Sequence, residues 1–187
     1  MALRRLAKGY TLLELLITLA VAAVLLSIAA PSFENLIVTT KADEARNDLY
    51  SMFQFARSKA ISDKSTVTVC PLDDSGSCTS QWKHKISVFE DANSNSQLEP
   101  DDQVIRTLSL DMGDWNVLKI PTSRPQFQWN AIGTANGSAG SLEICNPKSQ
   151  KGARALIISF AGRVRTSLDY DHNGIDERSP GASIDCQ

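Results

Sequence analysis

KGYTLLELLITLAVAAVLLSIAAPSF, residues 8–33, decides how the rest of the chain is read. A short basic leader with Arg4, Arg5 and Lys8 stops at Gly9 and gives way to an apolar stretch that holds one acid, Glu14. From Leu15 to Phe33, 19 consecutive residues carry no formal charge, close to the ~20 that a helix needs to cross a bilayer. A lone carboxylate beside such a stretch costs roughly 2.5–3.5 kcal/mol at a helix centre in lipid, and less near the interface. Glu14 therefore requires a partner. Two ordinary explanations fit the apolar run: a secretory signal cut after Ser27-Ile28-Ala29-Ala30, or a plain signal anchor with its basic flank in the cytoplasm. Neither accounts for an acid placed directly inside the run.

Gly9 followed by Tyr10-Thr11-Leu12-Leu13-Glu14-Leu15 resembles the class III signal of type IV pilins and pseudopilins, in which Gly precedes Phe-Thr-Leu-hydrophobic-Glu-Leu. Tyr10 stands where Phe is usual and keeps the aromatic ring. The resemblance implies that a prepilin peptidase cuts between Gly9 and Tyr10 and methylates the Tyr10 amine. It also implies that Glu14 pairs with a neighbouring subunit's N-terminal amine during filament assembly. Pro31, about twenty residues into the mature chain, also resembles these pilins and is expected to kink the helix.

Four segments are expected. Residues 1–9 form the leader, 10–33 a membrane-spanning or filament-core helix, 34–64 its amphipathic continuation, and 65–187 a β-rich head. The continuation rests on Ala42, Ala45, Leu49, Met52, Phe53, Ala56 and Ala60, which recur at three- and four-residue steps as one apolar stripe. After Lys64 the period becomes that of half-buried strands. These lie at Thr66–Cys70, Lys85–Phe89, Val104–Leu110, Asn116–Ile120, Phe127–Trp129, Ser141–Cys145 and Ala153–Phe160. Ala161-Gly162 then turns the last of these into Arg163–Thr166 as a hairpin. The fold class is α+β: a long N-terminal helix packed on a mostly antiparallel sheet.

Losing residues 1–9 removes three of nineteen cations and leaves sixteen against twenty-one acids, a side-chain charge of −5. Bulk charge therefore does not mark a general nucleic-acid binder. Cys70, Cys78, Cys145 and Cys186 all lie beyond the apolar span, and an even count in an exported chain reads as disulfides. Spacing favours Cys70–Cys78 across a short turn and Cys145–Cys186 pinning the C-terminal tail. Zinc is disfavoured, because no CxxC pair is present and His84 and His172 lie apart from the cysteines. Those histidines are not set for Ser-His-Asp chemistry, and no Gly-rich phosphate loop follows a strand. We expect no enzyme activity, and Trp82, Trp115 and Trp129 read as core residues.

The head resembles the FimT/GspH family of minor pilins and pseudopilins. Phe55–Ala60, Val69-Cys70-Pro71, Trp82 with Val88–Asn95, Asp101-Asp102 before Val104-Ile105-Arg106, and Phe160–Arg165 carry the likeness in that order. It implies a single-pass inner-membrane protein with a periplasmic head, later placed at the tip of a pilus or pseudopilus. Its partners would be prepilin peptidase, inner-membrane lipid and other major and minor pilins. Type II secretion is the alternative system.

From Asn146 to Ser167 the chain carries Lys148, Lys151, Arg154, Arg163 and Arg165 and no acid. Arg163 and Arg165, two apart, would share one face of a strand and suit phosphate oxygens. FimT-like proteins with a Gly-Arg-x-Arg element here are implicated in DNA binding for natural transformation, and Gly162-Arg163-Val164-Arg165 is intact. The plainer reading pairs these arginines with Asp169 and Asp171 just downstream. Asp169, Asp171 and Asn173, with Gly174, match the first half of a calcium loop, but Pro180 stands at the twelfth position. Asp91, Asn93, Asn95 and Asp102 form a similar partial set. Ordinary Asx turns explain both, and no other cofactor is expected.

Overall fold

The computed structural model describes residues 10–83, 85–146, 149–184 and 186. Gly9, Lys148 and His84 lie outside the described residues. The helix α1 spans Leu12–Asp63, 52 residues, and its helical backbone runs on through Pro31. The chain divides into two compact units at Val38/Thr39. The boundary therefore falls inside the helix, and Thr39–Asp63 belongs to the same unit as the sheets.

The first unit is the apolar helical stretch. Leu12–Ala29, with mean hydropathy 2.6, is long and apolar enough to cross a membrane. Every large apolar side chain from Leu12 to Ile28 is more than half exposed.

In the second unit the helical stripe is the spine of the core. Ala42, Ala45, Leu49, Met52, Phe53, Ala56 and Ala60 are all buried. Phe53 sits among Phe127, Trp129 and Trp82 at ring-centroid distances of 5.2, 5.6 and 6.2 Å. Tilted and edge-on ring pairs at such distances add to burial by the attraction of ring edge for ring face.

Ten strands follow: β1 (Val67–Pro71), β2 (Lys85–Glu90), β3 (Val104–Ser109), β4 (Asn116–Ile120), β5 (Phe127–Trp129), β6 (Gly140–Asn146), β7 (Ser149–Ile158), β8 (Val164–Thr166), β9 (Glu177–Ser179) and β10 (Ala182–Ser183). They form two four-stranded antiparallel sheets, ordered β3-β2-β1-β5 and β4-β6-β7-β8, and a β9–β10 ribbon. The first eight match the expected strands closely. The ribbon, with strands of three and two residues, was not foreseen.

Both expected disulfides are formed, Cys70–Cys78 and Cys145–Cys186. The second belongs to a small cluster in which Cys145, Ala153, Ala155 and Ile184 are buried, with Ile157 and Cys186 packed against them. The tail after β8 thus closes over one face of the second sheet.

Candidate functional site

Two places in the molecule bear on function: the start of α1 and the hairpin made by β7 and β8.

At the helix start, the Thr11 backbone N–H and hydroxyl both donate to Glu14 Oε2, at 3.0 and 3.1 Å. The Glu14 N–H donates back to Thr11 Oγ1 at 3.2 Å. This reciprocal pair is a capping box, which satisfies helix N–H groups that have no carbonyl one turn earlier. It places the carboxylate at the positive end of the helix dipole. Tyr10 is 88% exposed beside it.

At the hairpin, the turn Ser159–Arg163 is tightly fixed. Ser159 N–H donates to the Arg163 carbonyl at 3.0 Å, and Gly162 N–H donates to the Ser159 carbonyl at 2.8 Å. The buried Trp129 indole N–H donates to the Gly162 carbonyl at 2.9 Å. Gly162 has φ +73°, and a Cβ there would come within 1.9 Å of the Gly133 carbonyl oxygen, so only glycine fits.

Of the five cations expected to act together, Arg154, Arg163 and Arg165 have described side chains, and they do not share one exposed face. Arg163 lies just before β8 rather than on it, and is exposed; Arg165 is on β8 and exposed. Arg165 donates to the Arg178 carbonyl. Lys151 is on β7. Arg154 does not stand on an exposed basic face. Its side chain is 14% exposed and pairs with Asp43 at 2.7 Å and Asp176 at 3.5 Å. Burial disfavours the Arg154 charge, but the Asp43 hydrogen bond and the charge of Asp176 outweigh it and hold the guanidinium protonated more firmly than usual. The local count of five cations and no acid missed these acids because one is 111 positions away in sequence.

The ribbon brings further unforeseen charges to this side. Arg178, on β9, pairs with fully buried Glu143 at 3.4 Å. Asp176 accepts the buried Ser167 hydroxyl at 2.5 Å. No sequence pattern announces these pairs, because each joins residues from separate elements.

The acidic loops close on their own backbone. Asp169 accepts the N–H groups of Asn173 and Gly174, at 3.1 and 2.9 Å, and Asn173 Oδ1 accepts from Ile175 N–H at 2.8 Å. Desolvation raises the Asp169 carboxyl, yet the N–H groups of Gly174 and Asn173 prevail and leave it below the usual carboxylate range. Asp91 is fully buried and accepts from Thr68, Gln128, Asn95 N–H and Ser96 N–H. It is the polar knot joining β1, β5 and the loop after β2. Among the described residues, no group of three or more His, Cys, Asp or Glu could hold a metal.

An apolar anchor helix continuous with the spine of a two-sheet head defines a membrane-anchored, pilin-type subunit. The chain belongs to the GspH family: residues 45–162 match the family described as type II transport protein GspH, and residues 4–30 match the prokaryotic N-terminal methylation motif. It is accordingly a minor pilin or pseudopilin of the type IV pilus and type II secretion class. Two crystal structures of the type IV minor pilin FimU from Pseudomonas aeruginosa PAO1, in space groups P65 and P21, share the fold, with TM-scores of 0.52 and 0.55. Each is 23% identical; the matches cover 69% and 72% of this chain and 91% of FimU. No curated protein shows a significant match to the sequence.

Proposed function

We propose that the protein is a minor pilin, held in the inner membrane until assembly and then built into a filament tip, where it primes or supports pilus assembly. The observation that carries this reading is the exposed apolar helix from Leu12 to Ile28 with the single acid Glu14 at its start. In lipid that surface is at rest; among neighbouring helices it packs side chain against side chain, and a charge in a medium of low dielectric seeks an opposite charge. After cleavage between Gly9 and Tyr10, the methylated Tyr10 amine of a neighbouring subunit supplies it. Glu14→Ala should leave the protein at normal levels in the membrane while its content in sheared filaments falls at least tenfold. Normal incorporation would remove Glu14 from assembly.

A second role, capture of double-stranded DNA, is favoured by Arg163 and Arg165, both exposed on a rigid hairpin. Such binding is independent of base sequence and weakens steeply with salt. The variant carrying Arg163→Gln and Arg165→Gln should lose duplex binding by the full chain in detergent, and transformation with it. Equal binding by both forms over a salt series would end this reading. A type II secretion pseudopilin is the alternative for the filament system, and deletion would then block protein secretion rather than pilus formation.

A further inference from the structure

The tail covers the second sheet unevenly, and one cross-strand row is covered only in part, with Ile120 and Ile157 half-buried and Arg165 exposed. Register aligns Ile120 on β4 with Ser141 on β6, Ser141 with Ile157 on β7, and Ile157 with Arg165 on β8. Directly paired residues of an antiparallel sheet project to the same face, so these four form a single cross-strand row. The next row on that face contains Glu143 and Ala155, both buried. Beyond it, Cys145 and Ala153 lie in the cluster with Ile184 and Cys186.

Ile120, Ser141 and Ile157 of this row lie along a groove of about 420 Å³. Ile120, Pro121, Ser141, Ile157, Phe160 and Arg178 line it. Gly140 lets the strands close at its end, since a Cβ there would meet the Ile120 carbonyl oxygen at 2.1 Å. Phe160 forms one wall while remaining 81% exposed. So large an apolar side chain left in water forgoes the stabilisation of burial. Among the described lining residues the one charged side chain is Arg178, and Arg165 stands directly across from the lining residue Ile157. Arg163 and Arg165 are exposed, whereas the nearby carboxylates Glu143 and Glu177 are buried, and Glu143 is already paired with Arg178.

We infer that this groove docks an acidic segment of a neighbouring pilin subunit, which inserts a large apolar side chain beside Phe160 and sets its carboxylates against Arg163 and Arg165. The inference rests on the assembly reading above. The apolar side chains of Ile120, Pro121, Ile157 and Phe160 take a hydrocarbon side chain better than a sugar-phosphate backbone. The basic rim then selects among apolar segments by charge, giving specificity as well as area.

The test places the photoreactive residue p-benzoylphenylalanine at position 160 of the full chain in cells that build filaments. Irradiation should give an adduct whose cross-linked peptide, read by mass spectrometry, comes from another pilin and contains both Asp or Glu and a large apolar residue. Phe160→Ser should lower filament content at least fivefold. Ile132→Ser, an equally exposed apolar site outside the groove, should leave it unchanged. An adduct only to DNA, to lipid or to a segment without acids overturns the inference, as does the absence of any adduct. Filament content of the unsubstituted chain, measured in parallel, separates the two failures: normal content without an adduct sinks the groove alone, and no incorporation sinks the assembly reading with it.

Discussion

Leu12–Ala29 and Ala42–Ala60 lie on the same helix and use apolar residues in opposite ways. In the first stretch the large apolar residues surround the helix and all are exposed; in the second Ala42, Ala45, Leu49, Met52, Phe53, Ala56 and Ala60 occupy one stripe and all are buried. The difference lies in what each is made to meet. A helix apolar all round matches a medium that is itself apolar or a bundle of equal helices, whereas a single stripe matches one sheet face. Stability of the head and assembly of the subunit should therefore be separable by mutation along one helix.

The largest effect expected from this contrast is at Phe53, which lies amid Trp82, Phe127 and Trp129. Phe53→Ala should cost about 3–5 kcal/mol of head stability through lost burial and the cavity left behind. Leu19→Ala in the anchor should leave the head's melting temperature unchanged. Thermal unfolding of the full chain in detergent compares them, and equal destabilisation by both would break the distinction.

Next is the Cys145–Cys186 bridge, which closes a sequence separation of 41 residues, against 8 for Cys70–Cys78. Replacing Cys145 and Cys186 by Ser should lower stability by about 2–4 kcal/mol, and replacing the shorter pair by less, because a longer loop loses more freedom on closure. Urea unfolding of the two variants would sharpen the contrast between the tail-covered sheet and the rest of the head. A smaller loss from opening the long loop would refute it.

The smallest effect concerns acid. Asp169 and Asp73 have folded values held below the usual 3.8, Asp169 against desolvation by the N–H groups of Gly174 and Asn173, Asp73 first by the Ser75 hydroxyl. A depressed folded value means that the stabilisation is complete above the unfolded value and disappears as pH falls through the folded one. Head melting should therefore stay flat from neutral pH to about 4 and decline only below it. Melting in calcium and in a chelator should coincide; a rise of several degrees in calcium would assign a cation to one of the acidic loops.

The stripe from Ala42 to Ala60, the first eight strands and both disulfides were legible in the sequence, because period and spacing are local properties. The ribbon was not, since Glu177–Ser179 and Ala182–Ser183 are too short and polar for periodicity to register. The basic segment was misjudged at Arg154 for a related reason: counting charge along the chain cannot see Asp43 or Asp176 arriving from elsewhere.

The anchor, its single acid, the helix stripe and the positions of the first eight strands along the chain are legible from residue order, because they follow from the polarity of neighbouring residues. Which arginines remain exposed, the burial of Asp91 as a polar knot, and the groove beside Phe160 emerge only from packing in three dimensions. Those outcomes depend on which distant side chains fill a given space and neutralise a given charge, and packing alone brings them together.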